Sequence, residues 1–261
     1  MSNARGRPRG WQEGERVKSL DRALGVLAAL AGRPGLGLSE LGRQLGQAPA
    51  TLHRILGTLA AHGMAEMDAD QGWHVGPAAF RIGSAFLRRT SLVERAQPVL
   101  RALMRETGET ANLGVVRDGH VLFLAQAETH AAIRAFFPPG TLSPLHASGI
   151  GKAVLAALPP ERRLAALGDT LDGFTPHTLT APDALGADLA TAAARGWAID
   201  AEERHEGMRC IACAVRDPSG APVAGLSVSG PAARMLSAGE ERIGRAVVAR
   251  AQELSASLGT G

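Results

Sequence analysis

Apolar positions recur at helical spacing through the first third of the chain and at strand spacing through much of the rest. Over residues 19–31 the stripe Leu20, Ala23, Leu24, Leu27 and Ala31 predicts a helix buried along that side, with Ser19 as its N-cap. Gly32, Pro34, Gly35 and Gly37 then break the pattern. Ser39 reads as the cap of a short second helix. Glu40 lies in its first turn, Leu41 and Leu45 are its buried side, and Gly46 is its end. Pro49 suits the first turn of a third helix. In it Leu52, Ile55, Leu56 and Leu59 make an apolar face, and Ala50, Thr51, His53, Arg54 and Thr58 lie off that face. Two short helices joined by a tight glycine-containing turn, the second turning Thr, His and Arg outward, make a helix-turn-helix. Residues 64–67 and 73–75 then read as short strands about a polar turn ending in Gly72, so a hairpin wing follows the third helix.

Pro77 opens a further helix carrying Phe80, Ile82, Phe86 and Leu87, with Arg81, Arg88 and Arg89 on its other faces. Another helix spans about 91–107, with Val93, Ala96, Val99, Leu100 and Leu103 apolar. From Gly108 the period changes. Strands at 111–116 and 121–126 flank the turn Arg117-Asp118-Gly119-His120, and a third strand at 133–137 is stopped by Pro138-Pro139-Gly140. Ser148 leads into a helix through Leu158, and helices follow near 161–167 and 182–195. Strands at 197–200, 210–215 and 223–229 come next, the last two joined by Asp217-Pro218-Ser219-Gly220, before a closing helix at 239–258. No internal repeat is visible. Hairpins and helices on an antiparallel sheet predict an α+β fold behind the winged helix. The expected organisation is a basic tail at 1–15, a DNA-binding domain at 16–77, a linker helix at 78–90 and an effector-binding domain at 91–261.

Composition changes this picture little. The 261 residues suffice for two modest domains, and 45% apolar content supports real cores. A net charge of +3 with a pI near 9.5 points only weakly to a polyanion. The location of the charge says more. Arg5, Arg7, Arg9, Arg16, Lys18 and Arg22 crowd the first stretch, against Glu13, Glu15 and Asp21. Arg5-Gly6-Arg7-Pro8-Arg9 looks like the core of an AT-hook, which makes Arg7 and Arg9 candidate minor-groove contacts; a solubilising tail is the alternative. No apolar run approaches the ~20 residues of a spanning helix, and no apolar signal core stands at the N-terminus. With two cysteines only, a disulfide framework is not expected and the cytoplasm is the expected compartment, with no membrane partner. Aromatics are scarce (no Tyr, six Phe, three Trp), which disfavours a stacking site.

Two groups of residues carry candidate chemistry. On the third helix Thr51, His53 and Arg54 could reach phosphates or base edges, or be a solvated helix surface. Farther on, Ser148-Gly149-Ile150-Gly151 precedes a helix whose first N–H groups have no partner inside it, so a small carboxylate would suit that place; a plain Ser cap is the alternative. Ser227 and Ser229, two apart on an apolar strand, put both hydroxyls on one sheet face, where a carboxylate, waters or cross-strand partners must satisfy them. Rival chemistries fit less well. Cys210-x-x-Cys213 has no second ligand pair for zinc, and on a strand its thiols point to opposite faces. Gly149-Ile150-Gly151-Lys152 lacks the earlier Gly and the following Ser or Thr of a phosphate loop, and Gly225-Leu226-Ser227-Val228-Ser229 lacks the final Gly of a nucleophile elbow. No cofactor, no metal and no catalytic residue is expected.

Several segments in order resemble the IclR family of bacterial regulators: Ser19-Leu20-Asp21-Arg22-Ala23-Leu24, Thr51-Leu52-His53-Arg54-Ile55-Leu56, Gly108-Glu109-Thr110, the run from Pro144 to Ala153, and the run from Gly225 to Pro231. Within the family the likeness is greatest to glyoxylate-responsive repressors of allantoin utilisation, through the Gly-Arg-Pro tail, Gly72-Trp73-His74-Val75-Gly76, His146-Ala147-Ser148-Gly149 and Cys210-Ile211-Ala212. The resemblance implies a DNA-binding winged helix, a linker helix and a GAF-like or PAS-like effector domain, in homodimers that can pair into tetramers. It implies an effector pocket of Ser148, Gly149, Ile150, Asp200, Cys210, Ser227, Val228 and Ser229. Asp200 would accept from a hydrated aldehyde, a hydroxyl or an amide, or orient a loop. Cys210 would be a soft pocket wall or a structural thiol. His146 would position the Ser148 turn or be a satisfied structural histidine. One departure stands out: the Lys-Ser pair frequent before the recognition Thr is Pro49-Ala50 here, which removes a phosphate contact and a hydroxyl from the Ala50 end of the helix. The expected function is a regulator, and in particular a repressor, whose grip on double-stranded operator DNA is controlled by a small carboxylate such as pyruvate, glyoxylate or another short 2-oxo acid, with an aromatic acid as the alternative effector. A metabolite-binding protein or enzyme with the helix-turn-helix as scaffold is the alternative.

Overall fold

In a computed structural model describing residues 17–88, 91–167 and 170–259, the chain divides into two units, 1–89 and 90–261. The first contains α1 (Lys18–Gly32), α2 (Leu38–Leu45), α3 (Pro49–Ala61), the hairpin β1 (Ala65–Met67) and β2 (Trp73–Val75), and α4 (Pro77–Arg88). This is a winged helix-turn-helix. Its core gathers Val26, Leu30, Leu36, Leu41, Leu52, Leu56 and Leu59, with Trp73 packed against them. Each such fully buried aliphatic contributes roughly 1.5–3 kcal/mol by leaving water. The wing is drawn onto that core by an isolated bridge between Leu36 and Trp73. Its turn is tied by Asp68, whose Oδ1 accepts from the N–H groups of Asp70 and Gly72 while Oδ2 lies 2.6 Å from Nε2 of His74. The His74 partner and these N–H groups hold the Asp68 carboxyl below its ordinary range.

Three expectations are corrected here. The apolar stripe read on α1 is not the buried one: Leu20 and Leu24 are exposed, and Val26, Ala29 and Leu30 enter the core. The helix carries two overlapping apolar stripes, and spacing alone does not rank them. Ser19 lies inside α1, whose N-cap is Val17, and Ser39 lies inside α2, whose N-cap is Gly37. Neither cap makes a side-chain hydrogen bond.

The second unit is α+β. Its elements are α5 (Leu92–Thr107), β3 (Thr110–Arg117), β4 (His120–Ala127), β5 (Leu142–Pro144), α6 (Gly149–Ala157), α7 (Pro160–Ala166), α8 (Pro182–Arg195), β6 (Ala198–Ala201), β7 (Met208–Arg216), β8 (Pro222–Pro231), α9 (Ala232–Ala238) and α10 (Glu240–Leu258). The sheet is antiparallel in the order β5-β4-β3-β8-β7-β6. The strand expected at 133–137 does not form. That stretch is irregular, and the edge beside β4 is taken by β5 instead. Pro138 and Pro139 offer no N–H to a ladder, and the chain bends there so that Gly140 donates to the Phe123 carbonyl. Helix α9 has no counterpart in the periodicity of the sequence.

Register sets the two sheet faces. Cys210 pairs with Ser229 and Ala212 with Ser227. Ser229 pairs with Thr110, Ser227 with Asn112 and Gly225 with Gly114, while Asp200 pairs with Cys210. Asp200, Cys210, Ser229 and Thr110 therefore form one row, and Ala212, Ser227 and Asn112 the next. This face lies under α6. A Cβ on Gly149 would stand 3.2 Å from that of Cys210, and one on Gly225 would stand 2.7 Å from Cγ2 of Ile150. Helices α5 and α10 pack on the sheet from the other side. Ile150 thus nests between two strand glycines, with its Cδ1 3.3 Å from where a Cβ on Gly114 would be.

Candidate functional site

In the first unit, Pro49 at the first position of α3 starts the helix, and Leu52, Leu56 and Leu59 bury one side. The other side exposes Ala50, His53, Arg54, Gly57 and Thr58, and Thr51 is half-buried. Ala50, His53, Arg54 and Gly57 fall at i, i+3, i+4 and i+7, one stripe of the helix. The Thr58 hydroxyl donates back to the Arg54 carbonyl at 2.9 Å, so it is occupied by its own helix. Nothing in the unit pairs with the Arg54 guanidinium among the described residues, and the stripe is a flat, small-residue surface with two cation-capable side chains at its centre. Arg7 and Arg9, with the rest of the predicted tail, lie outside the described residues, as does Arg89.

In the second unit, the residues predicted for an effector converge. Ser148, Gly149, Ile150, Asp200, Cys210, Ser227 and Ser229 line one cavity, together with Phe123, Phe137, Ser143, Ala147 and Arg204. Val228 is the exception. It pairs with Ile211 and Ala111, which puts its side chain on the opposite face, in the core. The cavity leaves about 20 Å³ in which a water molecule can sit, room for about one.

Ser148 is the N-cap of α6. Its hydroxyl accepts from the Gly151 N–H at 3.2 Å and donates to the Pro144 carbonyl at 2.9 Å. That leaves the first two N–H groups of the helix, on Gly149 and Ile150, with no acceptor inside it. Gly151 is required by proximity: a Cβ there would lie 2.2 Å from the Leu145 carbonyl oxygen. Across the cavity the Asn112 amide donates to Ser227 Oγ at 3.3 Å and Ser229 Oγ at 3.2 Å. Each serine is an acceptor toward Asn112, which leaves its own proton to donate, for Ser227 into the cavity and for Ser229 either there or to the neighbouring Cys210 sulfur. Among the described residues Asn112 Oδ1 is buried with no hydrogen-bond partner, an acceptor that a hydroxyl or water would satisfy. The floor of the site can thus give two O–H and two N–H donors, a set suited to a carboxylate.

The acidic side of the cavity was only partly foreseen. Asp200 is 6% exposed, and its Oδ1 accepts from the Glu203 N–H at 2.8 Å. Burial, reinforced by the Glu203 charge, pushes its carboxyl up to about 7 against the backbone N–H groups and the Lys152 charge. Lys152 is fully buried, with Nζ 2.5 Å from Glu203 Oε1 and 2.9 Å from Asp188 Oδ2. Burial outweighs this ion pair and raises the Glu203 carboxyl as well. The loop carrying Glu203 and Arg204 is held by the hydroxyls of Thr175 and Thr178, which donate to backbone carbonyls at Glu202 and Glu203. Arg204 lies over the Phe174 ring, 4.0 Å from its centroid. His146 stacks on the same Phe174 ring, with centroids 5.8 Å apart, and bonds through Nε2 to the Asp172 carbonyl at 2.9 Å, so it braces the turn before α6. Burial, with the Asp200 charge adding to it, pushes the Cys210 thiol up, and Cys213 pairs with Leu226 on the opposite face.

The irregular segment 128–140 reaches the cavity through Phe137. Phe137 stacks on Phe123 with centroids 5.0 Å apart, and its N–H donates to Gln126 Oε1 at 3.2 Å. Arg234 bonds both oxygens of Glu109, at 2.5 and 2.8 Å, and the Ile133 carbonyl at 2.9 Å. Sequence reasoning missed Asn112, Lys152, Glu203, Arg204, Phe123 and Phe137. A lone amide in an apolar strand and a lone cation inside the apolar run of α6 were available signals for the first two. Glu203, Arg204 and the two phenylalanines carry none.

Comparison with known proteins gives a consistent answer. Residues 19–69 match the IclR helix-turn-helix domain, and residues 84–256 match the domain described as bacterial transcriptional regulator IclR C-terminal. The chain is 54% identical over 259 residues to the HTH-type transcriptional regulator BhcR of Paracoccus denitrificans, covering 96% of this chain and 93% of that protein. It is 36% identical over 261 residues to the HTH-type transcriptional repressor AllR of Klebsiella pneumoniae, covering 98% and 96%; the resemblance read from the sequence holds, and BhcR exceeds it. Among solved structures, an IclR homolog from Microbacterium hydrocarbonoxydans complexed with 4-hydroxybenzoate superposes with a TM-score of 0.79 at 26% identity, covering 92% of this chain and 98% of that one.

Proposed function

The chain belongs to the IclR family of bacterial transcriptional regulators, and from that premise we propose that it is a repressor whose hold on operator DNA is set by a small carboxylate bound beneath α6. Its role is regulation of transcription by DNA binding, not catalysis. The observation that carries the effector reading is the convergence of Ser227 and Ser229, both acceptors toward Asn112, with the open N–H groups at the start of α6. A short 2-oxo acid such as pyruvate or glyoxylate matches these donors in number and kind, and its entry requires the cavity to widen from room for about one water.

The DNA reading rests on the exposed stripe Ala50, His53, Arg54 and Gly57. A recognition helix of this kind enters a major groove, with His53 and Arg54 toward base edges or phosphates, Thr51 at the margin, and the small residues Ala50 and Gly57 permitting close approach. Arg7 and Arg9 would follow the adjacent backbone. The chain acts as a homodimer, and pairs of dimers would make a tetramer. Exposed Val17 at the N-cap of α1, Leu20 and Leu24 on that helix, and Phe80, Ile82 and Phe86 on α4 support that reading, since apolar surface of this kind marks interfaces. Helix α4 serves as the linker between residues 16–77 and the effector domain at 91–261. The effector must favour one arrangement of the dimer over another, and a coupling of about 1–3 kcal/mol would change operator affinity about 5–150-fold.

The test is a gel shift of the full chain on the DNA upstream of its own gene, with and without pyruvate and glyoxylate, repeated with Ser227→Ala combined with Ser229→Ala. The double variant is expected to bind DNA as the parent does and to lose the response to effector. A normal response would remove the pocket, and no DNA binding by the parent at low salt would remove the function.

A further inference from the structure

The donors beneath α6 invite an anion, yet the same cavity holds a buried carboxylate. On the reading that the effector is a carboxylate, we propose that it enters together with one proton, held by Asp200, and that the site therefore takes short monocarboxylates and turns away dicarboxylates of the same size.

Every element packed around Asp200 contributes. Lys152 comes from α6, Asp188 from α8, Glu203 and Arg204 from the loop after β6, and the Cys210 thiol from β7. The His146 imidazole is turned away to the Asp172 carbonyl. Lys152 cannot serve as counter-ion for an incoming anion, because its ammonium is fully buried between Glu203 and Asp188. Arg204 is committed to the Phe174 face and is half-exposed. Two cations thus face three carboxylates before any ligand arrives. A second negative charge beside Asp200, in a cavity with room for about one water, would be repelled at close range with little solvent to screen it. Protonating Asp200 removes the repulsion and adds a donor. Its Oδ1 is already an acceptor for the Glu203 N–H, so Oδ2 carries the proton and can give it to a carboxylate or keto oxygen. Burial and the Glu203 charge push the Asp200 carboxyl up to about 7, so the proton is available from neutral solution. A dianion would need a second proton, and no other group in the cavity supplies one: the Cys210 thiol is already neutral and its hydrogen-bond neighbour is Ser229.

The experiment is isothermal titration of the full chain with pyruvate and with glyoxylate, at pH 8, in two buffers of different ionisation enthalpy, with Kd followed from pH 6 to pH 9. Expected are an uptake of about one proton per ligand at pH 8, little uptake at pH 6, and a Kd that weakens about tenfold per pH unit above 7. Oxalate, matched to glyoxylate in size, is expected to bind at least about tenfold more weakly at pH 8, about 1.4 kcal/mol by the same arithmetic. Asp200→Asn keeps an acceptor and a donor in place, and its Kd for pyruvate is expected to be flat from pH 6 to pH 9. Binding of pyruvate with no proton uptake and a constant Kd in the parent would overturn the inference, as would oxalate binding as tightly as glyoxylate. If neither monocarboxylate binds at pH 6, by heat or by thermal shift, the carboxylate pocket itself falls and the inference with it, a result distinct from binding without a proton.

Discussion

Asp200→Asn should make the protein more stable in neutral and alkaline solution, although it alters a residue placed at the site. In an unfolded chain the carboxyl ionises at its ordinary 3.8, whereas in the fold it holds its proton to about 7. Between those two values the folded state carries the extra proton, so stability falls as pH rises through the window and the full penalty is present above 7. A difference of about three pKa units corresponds to about 4 kcal/mol. Asparagine removes the ionisation while its Oδ1 can still accept from the Glu203 N–H, now 2.8 Å from the aspartate. The expected gain at pH 8 is about 2–4 kcal/mol, with little difference near pH 4, where Asp200 is neutral in both states. For a unit of this size each kcal/mol moves Tm by roughly 2–4 °C. Differential scanning calorimetry of parent and variant at pH 5 and pH 8 reads it, with Trp197, the sole tryptophan of residues 90–261, reporting fluorescence from that unit. An equal effect at both pH values, or a loss at pH 8, would refute the claim that Asp200 is ionised at a cost.

Other outcomes follow from the same geometry. Lys152→Met leaves Glu203 buried without its cation and should cost about 3–5 kcal/mol in urea unfolding at pH 8, with the loss shrinking as the pH is lowered, since burial raises the Glu203 carboxyl and a protonated carboxyl needs no cation; a loss that does not change with pH would contradict the ion-pair account. Arg54→Ala and His53→Ala should each weaken operator binding by about 1–3 kcal/mol in a fluorescence-anisotropy titration while leaving Tm unchanged, because both side chains are exposed. Gly149→Ala places a methyl 3.2 Å from Cys210 Cβ and 3.3 Å from Ala212 Cβ. It should weaken pyruvate binding at least about tenfold at a cost of about 1–3 kcal/mol in stability, and undiminished pyruvate binding would show that the ligand does not approach α6.

Much of this architecture was legible in the periodicity. The helix-turn-helix, the wing, the hairpin β3–β4, the Ser148 cap and α8 are local features whose signals lie within a few residues of one another. The failures lie where the deciding partner is distant in sequence. Nothing near Leu20 says that Val26 and Leu30 win the core. Residues 133–137 alternate well enough for a strand, but the ladder beside β4 was taken by residues 142–144. Ser227 and Ser229 were found by spacing, whereas their partner Asn112 lies more than a hundred residues away and becomes relevant only through register. Val228 came with the family resemblance, and alternation puts it on the other face. Lys152 was read inside a failed phosphate-loop pattern, and its carboxylates come from two separate elements.

Ile150 sits as a peg in a socket formed where Gly114 and Gly225 leave the sheet bare. A helix fastened that way resists being drawn along the strands, because a slide would ram the peg into a neighbouring side chain. It can still tilt about the peg. A molecule wedged beside Gly149 would therefore lever the far end of α6, near Ala157, through a larger arc than it moves the near end, so that a displacement too small to notice at the cavity is enlarged at the opposite rim of the sheet.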